Sequence, residues 1–502
     1  MKLSFKTAKI VLATTVFVIL IQVSACHVFE KSASEWEEKS VFISGEIINS
    51  SSGGDRMVKF IFRDLFELNE NIVAHIDENN YFQLSFPLAY PQDFYIEYGR
   101  GNLGTLFCSP GDSLHINVNA EYNRTSSDDS HFITYIGGTS KQTNILISDF
   151  LRKMPKANYI YSNYNAAIES KSPHEYLIYI KEREKLYREF YDKFVSENQT
   201  TEIFKKWTLD RLKYESYFDL LYYAWYNTDI NKSSFEIPKD YFAFLETYDM
   251  NDSEIISMKH ADFLKEYKSY VIRRIENNLE EKYKTAYEES GLAGTYALIG
   301  ELIEKYSTGF TREFLYASTF VDLLSGKALE DFNKLYDVEK ITNNYFLQSI
   351  STEHDKLINF LRNTNTENAN ISILNSQSDV LKELMSKYTD KWIYIDFWAT
   401  WCGPCLEEFD ATKKLQQEWK SRDIVFVFLA NRSPENVWKA TIANKELSGE
   451  HILLTNDQYN VLCSEFNING IPHYVLIDKV GNIVSRNAPR PSDREQLIKL
   501  LE

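Results

Sequence analysis

Hydrophobic and polar positions follow three different rhythms along this chain. From about residue 41 to 120 the rhythm is two. Val58, Phe60 and Phe62 alternate with Lys59 and Arg63, Phe82, Leu84 and Phe86 with Gln83 and Ser85, and Leu114, Ile116 and Val118 with His115, Asn117 and Asn119. Successive side chains of a strand point to opposite faces, so each run predicts a strand with one buried face. The runs are separated by the turn-forming stretches SSGGD, ENN and SPGD. This pattern predicts a small antiparallel sandwich or barrel, the sandwich being the expected form over residues 41–135.

From about 140 to 366 the rhythm becomes helical. Tyr241, Leu245 and Tyr248 fall on one face, as do Tyr217, Leu221 and Ala224, with charged residues between such stripes. No proline occurs between Pro238 and Pro404, which favours long helices. Tyrosines crowd YFDLLYYAWY and NYIYSNYN. Aromatic residues at this spacing are read as core with their hydroxyls turned to polar partners, a sugar or peptide groove being the alternative. A helical domain over 140–366 follows, closed by the Ser/Asn-rich boundary stretch RNTNTENANIS.

Over 371–502 strands and helices alternate. WIYIDFWA and IVFVFLAN read as buried strands, HILLT as a short edge-like strand, and PHYVLIDKVGNIVSR as a hairpin turning at Val480 and Gly481. Helices are predicted from Gly403 to about Trp419, over SPENVWKATIANKE with Ser433 as cap, over DQYNVLCSEF, and over SDREQLIKLLE with Ser492 as cap. Central strands flanked by helices make an α/β layer fold. The fold class is multidomain: β-sandwich, helical domain, α/β domain.

Charge and the first residues change where this chain is expected to work. A net charge of -17 over 502 residues, without a long basic run, argues against nucleic acid as a partner. MKLSFKTAK supplies lysines ahead of IVLATTVFVILIQVSA, an apolar run shorter than the roughly 20 residues of a membrane span. Residues 1–25 therefore read as a signal peptide and residues 26–40 as a polar tether. An uncleaved anchor or a plain secretory signal is the alternative, and each reading takes the chain out of the cytosol. VSAC, ending at Cys26, resembles the lipobox of bacterial lipoproteins, with Val23 where Leu is usual. The resemblance implies lipid on Cys26 and a place in the bacterial cell envelope, in the periplasm or at the outer membrane.

Five cysteines in an exported chain give no disulfide framework. Cys108 and Cys463 fall in different domains and read as packed small hydrophobes. The pair that carries chemistry is Cys402 and Cys405 in DFWATWCGPC. If the strand ends near Ala399 and the helix begins near Cys402, unpaired N–H groups and the helix dipole favour a Cys402 thiolate. Such positions lower a thiol from about 8.5 to about 7 or below, which makes Cys402 the attacking sulfur. Cys405, one turn later and less exposed, would resolve the mixed disulfide. Pro404 suits a first helical turn.

DFWATWCGPC resembles the active-site segment of thioredoxin, and residues from Lys391 to Glu502 resemble thioredoxin-like proteins of the TlpA and ResA type. The resemblance implies a thioredoxin-like fold for 371–502, with Cys402 as nucleophile and Cys405 as resolving cysteine. It also implies that Trp401 flanks the nucleophile and that Asp396 is the buried acid beneath the pair. GIPHYVLIDKVGNIV matches the cis-proline loop, with Pro472 facing the disulfide and Ile471 offering its backbone to substrate. Gly403 and Pro404 complete the substrate-positioning set. Asp410 stands where the family has a kinking proline, and Glu407 or Glu408 aligns with a frequent acidic residue or belongs to a solvated surface. The β domain, ending in CSPGDSLHINVN, resembles a domain of unknown function that precedes thioredoxin-like domains in Bacteroidetes lipoproteins.

The expected activity is thiol–disulfide exchange on disulfide-containing envelope proteins, in the reducing direction, with a membrane electron donor implied by the family. No cofactor and no metal are called for, since His451, Cys463 and His473 are too scattered for a zinc set. Ile395 and Ala399 occupy the places a peroxiredoxin would give to Pro and Thr or Ser. An oxidase or isomerase, or a binding lipoprotein with an auxiliary redox domain, remain the alternatives.

Overall fold

A computed structural model describes residues 36–49, 56–63, 65–66, 71–99, 101–120, 132–155, 161–230, 236–276, 278–367, 369–375 and 378–502. The expected signal peptide, Cys26, most of the expected tether and the stretch SSGGD lie outside the described residues. Two compact units form: one comprises the residues up to Asp322 with Glu330–Ser351, the other Leu323–Leu329 with Thr352–Glu502.

In the first unit the period-two runs become two four-stranded sheets. Strands β1 (Lys39–Ile48), β4 (Tyr81–Leu88), β7 (Ser113–Asn119) and β8 (Ile133–Gly137) pair in the order β4-β1-β7-β8. Strands β2 (Met57–Ile61), β3 (Ile72–His75), β5 (Gln92–Tyr98) and β6 (Gly101–Cys108) pair as β3-β2-β5-β6. Val41, Ile43 and Ile116 of one sheet share a core with Val58, Phe60 and Phe94 of the other, so the region is a sandwich. One pairing departs from the antiparallel expectation: β1 runs parallel to β7. The long excursion through the second sheet returns the chain to β1 from the same end, so no hairpin constrains the direction.

Helices α1 (Lys141–Lys153), α2 (Tyr161–Ser170), α3 (Pro173–Glu197), α4 (Glu202–Trp225), α5 (Met258–Arg273), α6 (Leu279–Tyr306), α7 (Gly309–Ser325), α8 (Leu329–Leu335) and α9 (Asn344–Arg362) follow. Among the described residues Tyr223, Tyr241 and Tyr267 are buried core residues with satisfied hydroxyls: Tyr223 donates to Lys171 O at 2.6 Å, Tyr241 to Leu220 O at 3.0 Å and Tyr267 to Tyr306 O at 2.8 Å, whereas the side chains of NYIYSNYN up to Tyr164 lie outside the described residues. The Tyr241–Tyr248 stripe is a 3₁₀ helix, Lys239–Thr247, rather than an α-helix. Asn144 joins helix to sandwich by bonding both N–H and C=O of Phe107 at 2.8 Å.

In the second unit a six-stranded sheet runs β14-β13-β10-β11-β12-β9. Its strands are β9 (Ala369–Ile373), β10 (Trp392–Trp398), β11 (Ile424–Ala430), β12 (Gly449–Leu453), β13 (His473–Ile477) and β14 (Ile483–Ser485). Helices α10 (Val380–Lys387), α11 (Gly403–Glu418), α12 (Glu435–Lys445), α13 (Asn456–Phe466) and α14 (Arg494–Leu501) flank it. Tyr394 and Trp398 pack with Phe409 of α11, Trp438 of α12 and Leu497 of α14. Ile393, Ile395 and Phe397 pack on the opposite face with α10 and α13.

Three sequence expectations change here. HILLT is not an edge, because β9 pairs with β12 in parallel, and β9 itself arises from the stretch read as a boundary. Its Asn and Ser residues look like turn formers, yet an edge strand leaves them half in solvent. Ser433 does not cap α12; its hydroxyl accepts from Thr400 N at 3.0 Å and donates to Asn431 O at 2.9 Å. Ser492 does not cap α14, since Pro491–Asp493 forms a 3₁₀ turn and Ser492 donates to Glu408 instead.

Candidate active site

Strand β10 ends at Trp398 and α11 starts at Gly403, leaving Cys402 at the N-cap. Its backbone N–H donates to Ala399 O at 3.0 Å, and its Sγ accepts from Cys405 N at 3.2 Å. Cys402 and Cys405 form a disulfide with a Cα–Cα separation of 5.3 Å. The sulfur of Cys402 therefore lies where α11 presents its first unpaired N–H groups, which favours negative charge. Cys402 is 4% exposed and Cys405 0%, so the first cysteine is the less buried of the two.

The surrounding loop is held from the β11–α12 side. Trp401 is 60% exposed, and its indole N–H donates to Arg432 O at 3.0 Å. The Ser433 hydroxyl holds Thr400, so two neighbours of the disulfide are tied to one loop. Gly403 and Pro404 are exposed, and a side chain at 403 would meet open space. The Ile471–Pro472 peptide is cis, and Ile471 packs against the cluster that contains both cysteines.

The strand that leads into the disulfide turn carries a buried acid. Asp396 shares its sheet face with Tyr394 and Trp398, the face covered by α11. It is 2% exposed, and neither carboxyl oxygen has a hydrogen-bond partner. Burial holds its carboxyl well above the usual carboxylate range, and the like charge of Glu408 adds to the effect. Sequence reasoning left Glu408 between a family position and solvated surface. It is buried, its carboxylate accepting Ser492 N–H at 3.0 Å and Ser492 O–H at 2.8 Å, with the Arg490 guanidinium 3.9 Å away. Glu407 and Asp410 are exposed, and α11 continues without interruption past Asp410 to Glu418. Tyr474, Arg432 and Ser433 were not singled out as site residues. Only their positions after the cis-proline and after the second long strand carried a signal.

Cys108 lies in the sandwich core, where burial pushes its thiol up. Cys463 is half-buried on α13, next to the Tyr459 hydroxyl. Among the described residues no cluster of three His, Cys, Asp or Glu side chains is placed to hold a metal ion. No helix among them is long and apolar enough to cross a membrane.

The redoxin family matches residues 370–500, the same segment that carries the strand–disulfide–helix arrangement. Residues 370–500 form a redoxin domain of the thioredoxin fold. The redoxin domain is related to ResA-type proteins. It is 24% identical over 96 residues to the thiol-disulfide oxidoreductase ResA of Bacillus cereus, covering 19% of this chain and 54% of that protein. It is 28% identical over 112 residues to the thioredoxin-like protein YneN of Bacillus subtilis, covering 22% and 64%. Among solved structures, a thiol:disulfide interchange protein from Bacteroides sp. is 23% identical, with 23% of this chain and 76% of that chain covered and a TM-score of 0.22. The chain spans about half the length of the first curated relatives it matches, 54% and 55%. The disulfide in this redoxin domain is consistent with thiol–disulfide chemistry.

Proposed function

We propose that this chain is an exported thiol–disulfide oxidoreductase of the bacterial cell envelope, anchored by lipid on Cys26, that reduces disulfides of envelope proteins. The observation that carries the reading is the Cys402–Cys405 disulfide at the start of α11, following a strand that holds the buried, unpartnered Asp396. In the reduced state the Cys402 thiolate attacks one client sulfur, and the electron pair of the client disulfide leaves on the other. Asp396 accepts the Cys405 proton, and the Cys405 sulfur attacks Cys402, closing the disulfide and releasing the second client sulfur. Pro472 faces the exchanging sulfurs, Ile471 supplies backbone N–H and C=O to the client chain, and Trp401, Gly403 and Pro404 form the rim of the docking surface. A membrane electron donor recharges the pair, since an oxidising compartment would otherwise exhaust it.

The Gly403–Pro404 dipeptide and Asp396 favour a potential nearer to about -270 mV than to the roughly -120 mV of a strong oxidant. Equilibration of the full chain with glutathione measures it. A value above about -180 mV would replace the reductase reading by an oxidase or isomerase. Cys405→Ser should accumulate mixed disulfides through Cys402, and identifying the trapped proteins names the clients.

A groove of about 520 Å³ between α3, α4 and the 3₁₀ helix, floored by Leu177, Ile180, Leu212 and Phe244, favours a second reading in which the helical region binds a ligand and the redoxin domain is auxiliary. If Cys402→Ser leaves the cellular phenotype of the wild type intact, that second reading replaces the first.

A further inference from the structure

The Cys402 N–H donates to Ala399 O at 3.0 Å, which makes residues 399–402 a tight turn with Thr400 and Trp401 at its corners. Both corners are tied to one short stretch after β11. The N–H of Thr400, a residue 7% exposed, donates to the Ser433 hydroxyl at 3.0 Å. The indole N–H of Trp401 donates to Arg432 O, also at 3.0 Å. One step earlier, the Asn431 N–H donates to Trp398 O at 3.2 Å, where β10 gives way to the turn. Three consecutive residues, 431–433, thus hold the chain from the strand end to the residue before Cys402.

The conformation of this stretch serves that hold. Arg432 has a φ of 44°, in the left-handed region that a residue with a side chain rarely adopts. Such a conformation persists where its surroundings over-determine it. The Ser433 hydroxyl has one proton, which goes to Asn431 O at 2.9 Å, so Thr400 meets the lone pairs of the oxygen. An alanine at 433 would take the acceptor from a buried N–H. The sulfur of Cys402, by contrast, takes its bond from α11, from the Cys405 N–H at 3.2 Å. The bonds that place the turn and the bond that meets the sulfur therefore come from different elements.

We infer that Ser433 is a positioning residue of the exchange reaction, holding through Thr400 the turn that presents Trp401 and the Cys402 sulfur to a client polypeptide. The inference rests on the thiol–disulfide exchange of the proposed function. In that step the bond between Cys402 and a client sulfur forms as the client disulfide breaks, and the electron pair leaves on the second client sulfur. A polypeptide has to meet the exposed Trp401 and the sulfur together, so it depends on how the turn is set. A small disulfide needs the sulfur alone. Ser433 thus favours protein disulfides over small ones, while the readiness of the sulfur to ionise stays with α11.

The test uses the reduced full-length chain, with insulin as the protein disulfide and dithionitrobenzoate as the small one. Ser433→Ala should lower kcat/KM for insulin about tenfold, through a higher KM. The rate with dithionitrobenzoate, and its pH profile, should stay within about twofold of the wild type. Hydrogen–deuterium exchange at the Thr400 amide should quicken about tenfold. Ser433→Thr keeps the hydroxyl and should match the wild type with insulin, whereas Ser433→Val, of the same size, should behave as Ser433→Ala. Equal losses with both substrates, no loss with insulin, or an unchanged Thr400 amide overturns the inference. The opposite direction separates it from the reductase reading. If the wild type does not reduce insulin but its oxidised form oxidises reduced, unfolded ribonuclease, and Ser433→Ala slows this but not the oxidation of dithiothreitol, the reductase reading fails and the inference stands. If the wild type reacts with neither protein, both fail.

Discussion

Cys402 caps the helix that carries its own disulfide partner, its Sγ accepting the Cys405 N–H at 3.2 Å. The same sulfur that the reaction needs as an anion thus shares with Cys402 O, at 3.1 Å, the buried N–H of Cys405. Electrostatics at the helix start and local structure draw on one atom.

That double use separates two substitutions. Cys402→Ser and Cys402→Ala both remove the disulfide and should both abolish disulfide reduction, because neither supplies a thiolate. Serine is among the good capping residues, however, so Cys402→Ser should be more stable than Cys402→Ala by about 1 kcal/mol. Chemical denaturation of the two variants measures the difference, and equal stabilities would show that the cap contributes nothing.

Asp396 imposes a stability cost with a defined pH dependence. Its folded-state affinity for a proton is raised well above the ordinary 3.8 by burial and by Glu408. Between the unfolded and folded values the native state binds more protons, so its contribution is full below about 3.8 and is lost as pH rises through the folded value. Asp396→Asn removes this loss. The variant should be more stable than the wild type at neutral pH while reducing disulfides more slowly, and its advantage should grow with pH by at most about 1.4 kcal/mol per pH unit. Thermal unfolding of both proteins between pH 4 and pH 8 would sink the idea if the two curves ran parallel.

How much of this was legible in the sequence depends on how local each cause is. The strand–turn–helix around Cys402 and Cys405 was readable because periodicity, Pro404 and the spacing act within a few residues. The sandwich strands were readable from Val58–Phe60 and Leu114–Val118 for the same reason. Strand β9 was not, because Asn370 and Ser372 become a strand only by pairing with β12. The caps assigned to Ser433 and Ser492 failed because each hydroxyl meets a residue far along the chain, Thr400 and Glu408. Burial of Glu408 and the pairing of Asp396 with Tyr474 are likewise set by tertiary packing and leave no local mark.

The Glu408–Ser492 contact should be measurable as a coupling. Ser492 donates both its N–H and its O–H to a carboxylate that is 9% exposed. Hydrogen bonds to a charged acceptor in such a place contribute about 1.5–3 kcal/mol. Ser492→Ala keeps the N–H donor and should cost the lower end of that range, whereas Glu408→Leu removes the acceptor of both bonds. The double variant should lose less than the sum of the two. A double-mutant cycle by urea denaturation that shows additivity within about 0.5 kcal/mol would mean that the contact does not hold the α11 and α14 regions together.

His451 should contribute to the acid sensitivity of the redoxin domain. It lies fully buried on β12, stacked on Phe428 with ring centroids 4.5 Å apart and planes 5° from parallel. Burial pushes it down to about 3 from 6.5, against a smaller pull upward from the Leu447 carbonyl. The folded state therefore holds a neutral ring where the unfolded chain would be protonated. Between pH 6.5 and about 3 the unfolded chain binds the extra proton, so stability falls as pH falls, by at most about 1.4 kcal/mol per pH unit. Exchanging His451 for Phe, which keeps a flat ring against Phe428, should flatten this part of the curve while leaving stability at pH 7 within about 1.5 kcal/mol of the wild type. Unfolding midpoints of both proteins between pH 4 and pH 7 provide the comparison. An undiminished slope in the Phe variant would assign the acid sensitivity to other groups.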